Sequence, residues 1–152
     1  MARSKQEPAN AAKGASMDVA EALEFVRGNP RAVLATARSD GRPQLSPVLV
    51  AAGPDGRLRI STREMAVKTR NVRRDPRVSL CVLNEGFYGD WVGFDGTAEV
   101  VSLPEAMDLL VEYYQAISGE HPDWEEYRAA MERERRVMLV VTVERAGPNV
   151  SG

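Results

Sequence analysis

Thiol and imidazole chemistry are almost missing from this 152-residue chain, which has one cysteine, Cys81, and one histidine, His121. A single cysteine rules out an internal disulfide, and one cysteine with one histidine is too small a donor set for a structural zinc site. Such cysteine usage suits a reducing compartment, so a cytoplasmic location is expected. No run of about 18 or more apolar residues occurs, which excludes a membrane-spanning helix. Twenty basic against 22 acidic side chains leave a formal charge of −2. Nothing in that balance draws the chain to nucleic acid or to an anionic membrane. No serine–histidine pairing, carboxylate pair or metal cluster stands at a recognisable spacing, so no catalytic residue of the protein's own is assigned and no metal is expected.

The length fits one domain, large enough for a real core. Residues 1–16 read as a polar, disordered leader without an apolar signal core, 17–146 as the domain, and 147–152 as a short tail.

What is present concentrates in two phrases. Residues 58–76, LRISTREMAVKTRNVRRDP, read as a strand ending in Ser61 and Thr62, a tight turn, and a helix carrying Lys68 and Arg70 in its first turns. Hydroxyls, free backbone N–H groups and a positive dipole end converge there, as a phosphate requires. Residues 34–48, LATARSDGRPQLSPV, read as a hairpin, because Asp40-Gly41 suits a turn needing positive φ.

The remaining chain alternates strands and helices. Asp18 caps a first helix with Glu21 three residues on, Val19, Ala22, Leu23 and Val26 supply its apolar face, and Gly28 stops it. Strands are expected at 31–37, 44–51 and 57–62, the last two separated by Gly53-Pro-Asp-Gly56. A helix over 65–74 ends at Asp75-Pro76, since a residue before proline avoids the helical region. Further strands are expected at 78–83, 88–94 and 97–101, helices at 104–117 and 123–134, and a last apolar strand at 137–143. Strands around one core with peripheral helices define an α+β protein built on a small antiparallel barrel.

Each feature has a plainer reading. Residues 68–77 are also what a solvated cationic helix face looks like; the hydroxyl pair before them favours an anion site. Gln44 and Ser46 alternate with Leu45, which equally describes the polar face of a strand. Trp91 reads as an interface or core aromatic, His121 as a structural turn residue, and Cys81 as a small buried apolar group.

Taken in order, the hairpin 34–48, the segment 61–76 and the phrase GEHPDW at 119–124 resemble the split-barrel oxidoreductases related to pyridoxamine 5′-phosphate oxidase. The resemblance is nearest to the branch that uses the deazaflavin coenzyme F420, and it spans residues 18–144. It implies an antiparallel split β-barrel and a homodimer with two cofactor sites between subunits. Ser61, Thr62 and Lys68 would then hold the cofactor phosphate, with Arg70 and Asn71 on or beside the phosphate and tail path. Gln44, Ser46, Pro47 and Val48 would line the ring system, and Trp91 would approach the ring from the partner subunit.

One departure stands out. Flavin-binding relatives place an arginine directly before the lysine, whereas this chain has Ala66-Val67-Lys68. Arg63 or Arg70 is left to supply the guanidinium. The implied activity is hydride transfer between F420 and an unsaturated or conjugated small-molecule substrate. The alternatives are an FMN-binding oxidase of the pyridoxamine 5′-phosphate type and a non-catalytic F420 carrier. An obligate dimer burying more than about 2,000 Å² is expected, on the view that strands 78–83 and 137–143 are too apolar for one helix layer to cover.

Overall fold

The computed structural model describes residues 16–147. The expected leader and tail therefore lie almost wholly outside the described residues. Seven strands and four helices follow in the order α1 (Val19–Gly28), β1 (Arg31–Ala37), β2 (Pro43–Leu49), β3 (Ala51–Ala52), β4 (Leu58–Arg63), α2 (Val67–Arg74), β5 (Arg77–Leu83), β6 (Trp91–Val101), α3 (Met107–Ser118), α4 (Trp124–Arg133) and β7 (Arg136–Ala146). The strands form one sheet in the order β2-β1-β5-β6-β7-β4-β3, with each neighbouring pair antiparallel. The sheet curls until β2 also touches β4, which makes a split barrel.

Local chemistry explains most element ends. The Asp18 carboxylate accepts from the Glu21 N–H at 3.2 Å and starts α1. Asp75, extended at φ −141°, closes α2 before Pro76. In the β1–β2 hairpin the Arg38 N–H donates to the Arg42 carbonyl, and Gly41 takes φ +88°. A side chain is disfavoured at that angle, so the Asp40-Gly41 pair sets the register of both strands.

Two expectations change. The strand expected over 44–51 is two strands, because the chain bends at Val50 and crosses from one sheet edge (β2) to the other (β3). The separate strands expected at 88–94 and 97–101 are one strand, β6, running straight through Gly96. The irregularity lies in the partner instead: Asp95 pairs with Arg145 and Gly96 with Val143, so Glu144 is the extra residue of a β-bulge in β7. The strand count stays at seven because one split and one merger cancel.

Two apolar clusters share β7. Leu139 and Val141 point into the barrel with Leu34, Ile60, Leu80, Val82 and Phe94, and the buried face of α1 (Ala22, Leu23, Val26) plugs one end. Met138 and Val140 point the other way and pack with Ala106, Leu110, Tyr127 and Met131 beneath α3 and α4. Alternating side chains of one strand are thus buried on both faces, which is why 137–141 is continuously apolar. Each fully buried Leu, Ile, Val or Phe contributes roughly 1.5–3 kcal/mol. This packing also corrects the reason given for a dimer. Within β5 and β7 the residues Val78, Leu80 and Val82, and Val137 through Val141, are already buried inside one chain.

Candidate functional site

The end of β4 and the start of α2 make one corner of a cleft of about 900 Å³. Around the corner the chain folds back tightly: the Ala66 N–H and the Thr69 hydroxyl both donate to the Arg63 carbonyl, at 3.1 and 2.7 Å. Ala66 is the N-cap of α2 and offers no side-chain acceptor, and no acidic residue stands in the first turn. The Thr69 and Arg70 N–H groups turn back to the Ala66 carbonyl, leaving those of Val67 and Lys68 at the open helix end. Partial positive charge therefore faces the cleft with no carboxylate of the helix itself to meet it.

Lys68 lines this corner and takes part in no ion pair among the described residues. Burial, with a smaller push from the like charge of Arg136, holds its ammonium below the ordinary 10.5. Arg136 is the first residue of β7 and pairs in register with Arg63, the last of β4. Glu134 serves both guanidinia, at 2.8 Å from Arg136 Nε and 3.7 Å from Arg63, and the Arg136 hydrogen bond lowers its carboxyl pKa. Three cations and one carboxylate thus share the cleft, an excess of two positive charges.

The opposite side is aromatic. Tyr113 and Tyr114 of α3, with Tyr127 and Met131 of α4, complete the lining. The Tyr127 hydroxyl donates to the Leu110 carbonyl at 2.9 Å, and burial pushes its pKa to about 12. The Tyr113 hydroxyl donates to the Leu49 carbonyl at 2.8 Å, which ties α3 to the end of β2.

Of the residues singled out in the sequence, the fold brings Pro47, Val48, Ser61, Thr62, Arg63 and Lys68 together around this cleft. Arg70 is exposed, outside the lining, and donates to the Met65 carbonyl at 2.9 Å. Ser46 lies one residue before the lining, and its buried hydroxyl oxygen has no hydrogen-bond partner. Trp91 opens β6 opposite Leu83 and does not line the cleft of its own chain. Gln44 and Asn71 lie elsewhere, in a buried relay: the Asn71 amide donates to the Thr36 hydroxyl at 3.0 Å, which in turn donates to Gln44 Oε1 at 3.3 Å. That relay fastens α2 to the β1–β2 hairpin.

Asn71 therefore has a structural duty that a ligand would not explain. Asn71→Ala is expected to cost roughly 1–3 kcal/mol in a chemical denaturation curve, the usual loss when a buried hydrogen bond is broken. An unchanged denaturation midpoint would contradict the relay.

Sequence reasoning missed Arg136, Glu134 and the tyrosines. Arg136 is 68 residues from Lys68 and sits in the charged run 132–136, which reads as an ordinary helix end. Only the β4–β7 register carries it to the site.

Comparison with known proteins agrees with this architecture. A family model described as pyridoxamine 5′-phosphate oxidase matches residues 19–151. A conserved hypothetical protein of Mycobacterium tuberculosis is similar at 31% identity and a TM-score of 0.71, over 86% of this chain and 82% of that one. An F420 reductase shares the fold at 24% identity and a TM-score of 0.63, over 82% of this chain and 94% of that one. General Stress Protein 26 from Bacillus anthracis does so at 14% identity and a TM-score of 0.61, over 90% of this chain and 100% of that one. From the family model and the relative at 31% identity, the chain belongs to the pyridoxamine 5′-phosphate oxidase family of split barrels.

Proposed function

We propose that this protein is an oxidoreductase that uses the deazaflavin coenzyme F420 to reduce an unsaturated or conjugated small molecule. The observation that carries the reading is Lys68, a part-buried cation with no ion-pair partner among the described residues, set beside two N–H groups at the open end of α2 and facing Arg136. A cation held below its ordinary pKa by burial and a like charge is relieved when an anion binds. Ser61 and Thr62 add hydroxyls at the same corner. These residues fit a phosphate group. The orphaned hydroxyl of Ser46 on the adjoining strand fits a polar ligand lying along β2.

The family's usual arginine before the lysine is replaced by Ala66-Val67, and Arg136 takes over its guanidinium, steadied by Glu134. In this reading Lys68 and Arg136 bind the phosphate, the α2 N-terminus orients it, and Pro47 and Val48 hold the ring against β2 and exclude water from one face. The bound coenzyme supplies the hydride chemistry. A second copy completes the site, with Trp91 of that copy approaching the ring. Leu45, Leu49, Met65 and Val67 are the apolar side chains left exposed around β2 and α2, at 62, 45, 65 and 47%. Leu49 and Met65 line the cleft itself, so a second copy seated over the cleft would cover them.

Titration with F420, followed by turnover assays with quinones and unsaturated ketones, tests the activity. FMN is expected to bind more weakly, and F420 affinity to fall as salt rises and screens contacts between its carboxylate tail and Arg63 and Arg70. Equal or tighter FMN binding would favour a flavin enzyme of the same fold, and binding without turnover a carrier. Light scattering is expected to give a dimer; a stable monomer at micromolar concentration would remove the shared site.

Proton linkage gives an independent check. An anion that stabilises the charged form raises the Lys68 pKa back toward 10.5. Below the depressed pKa Lys68 is charged in both free and bound protein. Above it, binding must take up a proton, so affinity is expected to decline with rising pH before 10.5 is reached. Lys68→Arg, charged throughout, should flatten that decline. A decline of equal steepness in Lys68→Arg would assign it to another group.

A further inference from the structure

The barrel is split where β2 parts from β4, and the cleft lies across that split. β3 pairs with β4 through Ala51–Arg59 and Ala52–Leu58 alone. Carried further along the strands, the same register would set Leu49 opposite Ser61. Instead the chain bends at Val50, whose N–H donates to the Pro30 carbonyl at 2.8 Å, and Leu49 ends β2 at the other sheet edge. The direct Leu49–Ser61 ladder contact is not made.

The Tyr113 hydroxyl stands in this gap. It donates to the Leu49 carbonyl at 2.8 Å. Burial pushes its pKa above the ordinary 10, while the Ser61 N–H and the Arg136 charge pull the other way, as groups near the oxygen do. At neutral pH the hydroxyl keeps its proton, which points to β2, and its oxygen faces β4 and β7. Glu112, the preceding residue of α3, binds the buried Arg59 of β4 at 2.7 Å. Consecutive residues of one helix thus tie α3 to β4 and to β2.

The two strands so joined carry different parts of the site. Pro47 and Val48 stand just before Leu49 on β2, and Ser61 and Thr62 lie near the end of β4, at the Lys68 corner. We infer that Tyr113 is a positioning residue whose hydroxyl replaces the missing strand-to-strand contact and fixes the spacing between the two ends of the cleft. This builds on the F420 reading above: a ligand that reaches both ends depends on Tyr113, whereas an anion held at the Lys68 corner alone does not. Ends spaced correctly beforehand bind a long ligand at a lower ordering cost.

F420 and inorganic phosphate, titrated into the full-length protein by calorimetry, serve as the long and the short probe. Tyr113→Phe keeps the ring and removes the bridge. It is expected to weaken F420 binding roughly tenfold, the scale of one lost hydrogen bond, and to leave phosphate affinity unchanged. Glu112→Gln loosens the same helix without touching the bridge, and should leave the ratio of the two affinities at its parental value. A purely structural Tyr113 would lower the melting temperature of Tyr113→Phe but shift both affinities together or neither. That result overturns the inference while the F420 reading stands. So does a Glu112→Gln variant that reproduces the change in ratio, since it assigns the effect to α3 packing. Failure of the parent protein to bind either probe overturns the proposed function and the inference with it.

Discussion

Lys68→Ala is expected to weaken cofactor binding roughly 10- to 150-fold while the melting temperature stays where it is or rises. The lost interaction is a charge-assisted hydrogen bond, worth about 1.5–3 kcal/mol, and each decade of affinity corresponds to about 1.4 kcal/mol. Stability should not suffer, because the ammonium has no ion pair to lose among the described residues and is disfavoured by its burial and by Arg136. Alanine is moreover the best helix former. Arg136→Ala is expected to weaken binding too, but with a loss of stability, since it takes from Glu134 its 2.8 Å partner and leaves Arg63 at 3.7 Å. Arg128→Ala, on the exposed side of α4, should change neither quantity. Binding of parental strength by Lys68→Ala would reduce α2 to a charged surface and displace the site.

The second large effect is on the fold itself. Gly96→Ala is expected to destabilise the protein by about 3 kcal/mol or more, the upper end of overpacking penalties. A Cβ at that position would stand 2.4 Å from the Thr142 carbonyl oxygen and 2.8 Å from Val141 Cγ1. The nearer obstacle is backbone of the neighbouring strand at the bulge, which has little room to yield. Gly28 is the contrasting case: a Cβ there meets nothing within 4 Å, and its backbone is not in the left-handed region. Gly28→Ala at the end of α1 should accordingly be neutral or stabilising by about 0.5–1 kcal/mol. Denaturation curves of the two variants in parallel check the pair; similar midpoints would mean that the β6–β7 bulge can relax.

Reading elements from the chain succeeded where the determinants are close in sequence. The Asp18 cap, the Asp40-Gly41 hairpin, the Gly53–Gly56 turn and the Asp75-Pro76 stop each act over a few residues, and each appears in the structure where expected. The β2–β3 division and the unbroken β6 were not legible, because Val50 and Gly96 are read differently only once neighbouring strands are present. A glycine inside an apolar run looks like a break; here it accommodates the close approach of β7.

The amino-acid sequence by itself determined the fold class, the family and half of the cleft, namely the Ser61-Thr62 strand end and Lys68 at the start of the following helix. Hydroxyls, helix start and lysine lie within eight residues, so local geometry alone brings them together. Tertiary structure alone decided the other half. Arg136 reaches the site because β4 and β7 pair with Arg63 opposite it, and the tyrosine wall exists because α3 and α4 pack on the outer face of β7. Asn71 and Gln44, equally polar and close by in sequence, were directed instead into a buried hydrogen-bond relay. A residue's type and spacing set the chemistry it can perform; which cavity it faces depends on strand register and helix packing between distant parts of the chain.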